Sequence, residues 1–382
     1  MIADTTATMQ RVQARNGTHN GAPAADASAT SHPGSVVLSR LTEPRRADWD
    51  AYVRSAPGGL PQHLSGWQAV LRKTYGYGTH FLLAERQGQV VGVLPLFVVR
   101  SLLVGDTAMT LPGGLCADDD EAAAALLEHA HELARAERVK RLVIQDARRV
   151  WPGAFHTESH HETWLVDVRA GQEALWSALH RNIRRQVRMA RSNELTVEID
   201  RTGRCLDDFY QVFSRFTHQS GTPVFGRTFV ENVVEAFPSN FNIVVVRKES
   251  QPIGAYFQLE VANTMVGVWG AALHEFLELR PVYLAYWETL VHAVERGCAY
   301  VDMGRSPAGS NASKFKGQWN GVSCPVYQQS MNLTLGGEAN GSVTSRVQSD
   351  AKFRTFRQIW PRLPFPVVQR VGPLLRKHVP FA

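Results

Sequence analysis

Between Tyr300 and Gln328 the chain reads YVDMGRSPAGSNASKFKGQWNGVSCPVYQ, and its residue types suit chemistry on a polar ligand. Val301 and Met303 alternate with Asp302 as in a strand, and the strand is expected to end at Gly304. Arg305, Ser306, Ser310, Asn311, Ser313, Lys314 and Lys316 follow among small residues that let a backbone come close to a ligand. A cation such as Lys316 can hold a phosphate, a carboxylate or a developing oxyanion. Phe315 and Trp319 can wall off water and so strengthen those contacts. Asp302 at the strand end can orient an acceptor or pair with Arg305. The plain alternative is a solvated basic loop.

A second concentration of charge lies between Leu175 and Arg191. On a helix, Leu175, Trp176, Leu179, Ile183, Val187 and Ala190 share one arc of roughly 120°, and Arg181, Arg184, Arg185, Arg188 and Arg191 share the opposite one. Guanidinium groups grip phosphate and carboxylate with two hydrogen bonds, so this stripe suits a pyrophosphate, a nucleic-acid backbone or an anionic glycan. A solvated face, or one pinned by acids, explains it as well. His218 and His274 are candidate bases, each also readable as a structural histidine. Tyr256 and Trp269 fall on expected strands and are either cleft walls or core.

The elements that must position these groups fall into two similar series. The first has a strand at Val36 to Leu41, helices at Ala47 to Ser55 and Ser65 to Tyr75, and strands at Phe81 to Glu85, Val90 to Val99 and Met109 to Leu111. A helix at Asp119 to Glu137 and a strand at Arg141 to Gln145 complete it. The second has a strand at Thr196 to Ile199, helices at Leu206 to Gln219 and Arg227 to Phe237, and strands at Asn242 to Arg247, Ile253 to Val261 and Thr264 to Ala271. A helix at Val282 to Arg296 and the strand at Tyr300 follow.

Asp302, Gly304, Arg305 and Ser306, the Phe315 and Lys316 pair with Trp319 and Gly321, and the segment from Ile359 to Lys377 resemble the FemAB-like proteins. These are GNAT-related transferases with a BioF-type acyltransferase domain, and the likeness is strongest to those associated with PEP-CTERM and exosortase exopolysaccharide systems. Met303 and Asn320 depart from the pattern, which often has Phe at the first position and no residue between Trp and Gly. The resemblance implies an α/β (α+β) fold of two tandem GNAT-like halves with mixed sheets. The division expected is a disordered tail over 1–34, an N-terminal half over 35–170, an arginine-faced linking helix over 171–194, a C-terminal half over 195–335 and a basic extension over 336–382.

The activity so implied is transfer of an acyl or aminoacyl group to an amine of a cell-envelope or exopolysaccharide precursor. Lys316 would lie by the reacting centre, with Asp302 and Arg305 beside it. Ser306, Phe315, Trp319, Tyr256, Trp269 and the arginines of the stripe would hold substrates. No resident cofactor is implied, and acyl-CoA, acyl carrier protein and aminoacyl-tRNA remain open as donors. The glycine-rich pyrophosphate turn of acetyl-CoA enzymes has no counterpart in HEFLELRPVYLAYWE, residues 274–288. Alternatives are an acyl-CoA or acyl-carrier-dependent acylation of a small amine, and a non-catalytic module for anionic polymer.

Composition fits a globular enzyme, with 44% hydrophobic and 20% charged residues in 382. Apolar runs are strand-sized and residues 1–34 hold no apolar signal segment, so a cytoplasmic location is expected. Cys116, Cys205, Cys298 and Cys324 stand too far apart for a zinc or disulfide pattern, and no metal is expected. From Ala351 to Ala382 there are seven cations and no acid, so the whole net charge of +6 resides there. This tail suits either the face of an anionic membrane or packing on its own domain, its prolines breaking any long helix.

Overall fold

In the computed structural model, residues 34–101, 105–334 and 351–378 are described. The expected 1–34 tail and the start of the basic extension lie almost wholly outside them. The first series folds as β1 (Val37–Arg40), α1 (Arg46–Ser55), α2 (Trp67–Tyr75), β2 (Gly78–Arg86), β3 (Gln89–Val99), β4 (Thr107–Thr110), β5 (Cys116–Ala117), α3 (Asp120–Ala136), β6 (Arg141–Ala147) and β7 (His156–Asp167). Helices α4 (Gln172–Ala178) and α5 (Arg181–Ser192) lead to the second series. That series is β8 (Leu195–Asp200), α6 (Leu206–Gln219), α7 (Arg227–Ala236), β9 (Phe241–Lys248), β10 (Gln251–Val261), β11 (Thr264–Ala272), α8 (Pro281–Glu295), β12 (Tyr300–Asp302), β13 (Ser306–Pro307), α9 (Asn311–Gly317) and β14 (Val322–Asn332). Helices α10 (Ala351–Ile359) and α11 (Phe365–His378) end the described chain.

The strands join in one mixed, fourteen-stranded sheet ordered β1-β2-β3-β4-β6-β14-β7-β12-β11-β10-β9-β8, with β5 on β3 and β13 on β7 as side branches. Each half runs antiparallel through four strands and then takes one parallel step, β4 to β6 and β11 to β12. The order is therefore a palindrome, two GNAT-like halves back to back. The middle is exchanged: β14 of the second series lies against β6 of the first, β7 of the first lies against β12 of the second, and the two exchanged strands pair antiparallel.

Three apolar cores follow from strand alternation. Ile243, Val245 and Phe257 face α6 and α7, while Val244, Val246 and Tyr256 face α5 and α8. The first of these cores is shared by both halves, because Trp67 of α2 packs on Phe229 and Phe237 at 6.3 and 5.3 Å between ring centres. A third core lies between α3 and the other face of the first half, with Leu82, Leu94, Leu126 and Leu142 buried.

Two expectations are corrected here. The linking helix is two helices, parted at Leu179 and His180, where the His180 side chain caps α5 by accepting from the Asn182 N–H at 3.2 Å. The run after Gly304 is not a loop throughout: it forms β13 and then α9, whose N-cap is Ser310. Helix α9 is fixed to β7 by Ser313, which donates to Glu162 and accepts from the Trp164 indole at 2.9 Å.

Ladder geometry makes Gly267 indispensable. A Cβ at Gly267 would stand 1.6 Å from the Tyr256 hydroxyl oxygen, which donates to the Met303 carbonyl at 3.1 Å. Gly267→Ala should therefore destabilise the protein by about 1–3 kcal/mol, the range for an overpacked interior. Urea unfolding measures it, and an unchanged midpoint would mean that Tyr256 does not occupy this position.

Candidate active site

A cavity of about 260 Å³ opens where β11 and β12 diverge, at the seam of the two halves. Its apolar wall includes Trp67, Leu111, Phe225 and Trp269, and its polar wall includes Asp146, Arg148, Arg305 and Arg376. Local backbone shapes it. The β10 to β11 ladder slips between Phe257, opposite Trp269, and Gln258, opposite Gly267, which leaves Val268 as a bulge out of register on the cavity wall. Gly304, at φ +79°, fits against Gly267 so closely that a Cβ would meet the Gly267 oxygen at 2.4 Å.

Two ion pairs cross the seam. Asp302 at the end of β12 accepts from Arg148 Nη2 at 2.6 Å, and Asp146 at the end of β6 accepts from Arg305 Nη1 at 2.5 Å. The buried Asp302 carboxylate also accepts from Thr163 and from the Gly304 N–H at 2.8 Å, so its orientation is fully set. Asp146 is buried and holds φ +50°, a backbone state uncommon outside glycine and worth relating to function when it lines a cavity. His161 lies on the Thr163 side of β7 by alternation, and burial together with the Arg305 cation lowers its pKa, which keeps the ring neutral.

Lys316 stands behind this wall and is not among the residues lining the cavity. Its buried ammonium donates to the carbonyls of Gly304 at 2.8 Å and Arg305 at 3.2 Å, so it clamps the turn that carries Arg305. Burial pulls its pKa down to about 8, opposed by Asp302 and assisted by Arg305. Asp302, Arg305 and Lys316 are thus brought together within one network.

Other residues singled out in the sequence are distributed more widely. Trp269 is on the cavity wall. Tyr256 is buried behind the strands, stacked on Tyr286 at 5.1 Å. Ser306 is buried in β13 opposite Glu162. Phe315 and Trp319 pack with Tyr283 and Tyr286 in the core beneath α8, and Trp319 is 1% exposed, so neither walls the cavity. His218 and His274 rest on Phe365 and Phe216. The arginines of α5 lie on the opposite face of the second half, with the sheet between them and the cavity. There Arg188 stacks over Trp176 and Arg191 pairs with Glu288 at 2.9 Å, while Arg181 and Arg185 are exposed.

Asp146, Arg148, His161 and Arg376 were missed. A signal for the first two exists: Gln145-Asp146-Ala147-Arg148 echoes Val301-Asp302-Met303-Gly304-Arg305, each run closing the fifth strand of its half.

Comparison with known proteins bears on the fold. Residues 177–316 match the sequence model of a family described as acetyltransferase (GNAT) domain. Among solved structures, FemX is similar over 77% of this chain and 96% of its own, at 16% identity and a TM-score of 0.60. A tandem GNAT protein from the clavulanic acid biosynthesis pathway is similar over 81% of this chain and 100% of its own, at 12% identity and a TM-score of 0.52. The C-terminal domain of a putative lysylphosphatidylglycerol synthetase from Agrobacterium fabrum is similar over 76% and 93%, at 12% identity and a TM-score of 0.52. No curated protein sequence gives a significant match. The fold is that of the tandem GNAT class. Within it, FemX is a neighbour in architecture at low sequence identity.

A buried histidine next to the cavity-lining Gly113 makes stability depend on pH. His63 is buried against Gly113, with Nδ1 accepting from the Leu60 N–H at 3.1 Å, and burial lowers its pKa to about 4, with Arg148 acting in the same direction. The folded state then binds fewer protons than the unfolded chain between the ordinary histidine pKa near 6.5 and about 4. Stability is therefore full above the ordinary value and falls as pH drops through that window, by about 3 kcal/mol. Urea unfolding of wild type and His63→Gln between neutral pH and the lower limit checks this. A wild-type curve with the same pH slope as the variant would refute it.

Proposed function

We propose that the protein is an N-acyl or aminoacyl transferase whose reacting centre is the cavity at the seam. An amine of a cell-envelope or exopolysaccharide precursor serves as acceptor. The observation that supports this most is the pair of crossed bridges, Arg148 to Asp302 and Arg305 to Asp146, beside the bulge at Val268. Together they offer a carboxylate, two guanidiniums and a backbone amide out of ladder register at one apolar-walled opening. The donor arrives as acyl-CoA, acyl carrier protein or aminoacyl-tRNA, with its acyl group against Leu111, Phe225 and Trp269.

In the reaction the amine lone pair forms the C–N bond and the carbonyl electrons move onto oxygen. Arg305 and the amide at the bulge stabilise that oxyanion. The oxygen electrons return as the C–S or C–O bond to the carrier breaks. The amine proton passes to Asp146 and from there to the departing thiolate or alkoxide. Asp302 orients Arg148, and Lys316 positions Arg305 through the two carbonyls it holds.

This assigns separate kinetic roles. Asp146→Asn should lower kcat by about 10²–10³ with little change in KM, as for loss of a general base. Lys316 should contribute an alkaline limb: its ammonium clamps the turn below pH about 8 and loses a proton above it, so kcat declines there. In Lys316→Arg that decline should move to higher pH. The assay is steady-state transfer from each of the three donor classes to amino-sugar acceptors, with a thermal melt on each variant. Wild-type kcat in Asp146→Asn would remove the cavity as the reacting centre.

Arg181 and Arg185 face solvent away from the cavity, and we assign them to the polyanionic part of a tRNA donor. Arg181→Ala with Arg185→Ala should weaken tRNA binding and flatten its dependence on salt. Unchanged affinity across a salt series would leave α5 a solvated face.

A further inference from the structure

We propose that α11 is a docking element for the surface of an anionic lipid bilayer. Its sequence, FPVVQRVGPLLRKH, divides into faces that the fold treats differently. Val368 and Gly372 are buried, and a Cβ at Gly372 would meet the Val224 carbonyl oxygen at 3.1 Å, so this face is pressed onto the second half. The first half grips the end of the helix, with the Tyr77 hydroxyl donating to the Lys377 carbonyl at 2.5 Å and the Ser101 hydroxyl to the His378 carbonyl at 2.8 Å. The helix is thus a strap fixed to both halves.

The outward face is apolar in spite of that. Val367, Val371 and Leu374 are 45%, 37% and 67% exposed and fall within an arc of roughly 60° on the helix. Arg370 and Lys377, both exposed, line one flank of this stripe. The preceding turn adds exposed Ile359 with exposed Arg357 and Arg362. No acid occurs from Ala351 to Ala382.

Charge complementarity selects the occupant. A ridge of three or four aliphatic side chains is far smaller than the ~800 Å² that each partner commits to a stable protein interface. It is of the depth that enters a headgroup layer, with its cations set against anionic phosphates. Among the described residues no helix is long and apolar enough to cross a membrane, so the contact is with the surface. So small an apolar area holds only with charge attraction, which makes anionic lipid and low salt requirements of binding. Arg376, on the face of the same helix opposite the stripe, lines the cavity, so docking would set the cavity behind α11, about one helix diameter from the lipid headgroups.

The test is co-sedimentation of the full-length protein with vesicles of phosphatidylglycerol mixed with phosphatidylcholine, and of phosphatidylcholine alone, at low and high salt. Wild type should sediment with the anionic vesicles at low salt and remain in solution in the other conditions. Arg370→Glu with Lys377→Glu should reduce partitioning roughly tenfold or more. Val371→Asp with Leu374→Asp should do the same while the thermal melt and the activity on a soluble acceptor stay as in wild type. Failure of wild type to sediment, equal binding to phosphatidylcholine alone, or equal binding by the charge-reversed variant would each overturn the proposal. A wild-type dimer that Val371→Asp with Leu374→Asp converts to monomer would also overturn it, since the stripe would then be a contact between two copies.

Discussion

The antiparallel pairing of β7 with β14 is the contact on which the rest of the molecule rests. β7 comes from the first series and completes the second half against β12, while β14 makes the reciprocal connection to β6. Without the exchange, β6 and β12 would each present an open edge with unpaired N–H and C=O groups. With it, the C-terminal ends of β6 and β12 are brought to one seam. Asp146 and Arg148 then meet Arg305 and Asp302, residues more than a hundred positions away in the chain. The site is therefore a product of the exchange, and each half holds only one partner of every bridge.

A second constraint operates at the scale of single atoms. Parallel strands β11 and β12 stay in register only from Thr264 with Tyr300 to Val266 with Asp302. Beyond that point the Tyr256 hydroxyl reaches through to the Met303 carbonyl, and the absent side chain of Gly267 makes room for its ring. Gly304 then returns to touch the Gly267 backbone, and Lys316 holds the carbonyls of the two peptides that flank Arg305. The position of Arg305 is thus over-determined by backbone contacts, as an electrostatic site requires if its donors are not to reorganise during reaction.

Much of this architecture could be read from the chain because most elements carry a local signal. The continuous apolar runs of β9 and β10, the capped helix α3 and the periodic helix α6 report their own structure. Strand β7 reports nothing of the kind: HTESHHETWLVD carries three histidines and two glutamates, and its place in the sheet depends on partners from distant parts of the chain. Strand β14 contains Pro325, which argues locally against a central strand. In the site, the network of Asp302, Arg305 and Lys316 was legible as charge at a strand end. Phe315 and Trp319 are open to the reading of cavity wall because spacing cannot tell which side of a short helix, or of the turn that follows it, faces a core. Asp146 was hidden because its relevance comes from the pseudo-repeat and from a partner across the seam.

The same duplication explains why two similar halves make one cavity. In the first half, the gap between β4 and β6 is closed from within: the turn at Pro112 folds back, and the Gly113 N–H donates to the Gln145 carbonyl at 2.9 Å. The helix that follows begins with Asp119, Asp120 and Glu121, and Arg86 binds Asp119 and Glu121, so its N-terminal positive end is already neutralised. In the second half the matching gap between β11 and β12 is held open by Tyr256. The first half therefore serves as a wall and supplies Asp146 and Arg148, whereas the second supplies the opening, the bulge and Arg305. The turn at Pro112 in one half and the buried Tyr256 in the other thus make the two gaps unlike, and the exchanged strands join their two sides in one sheet.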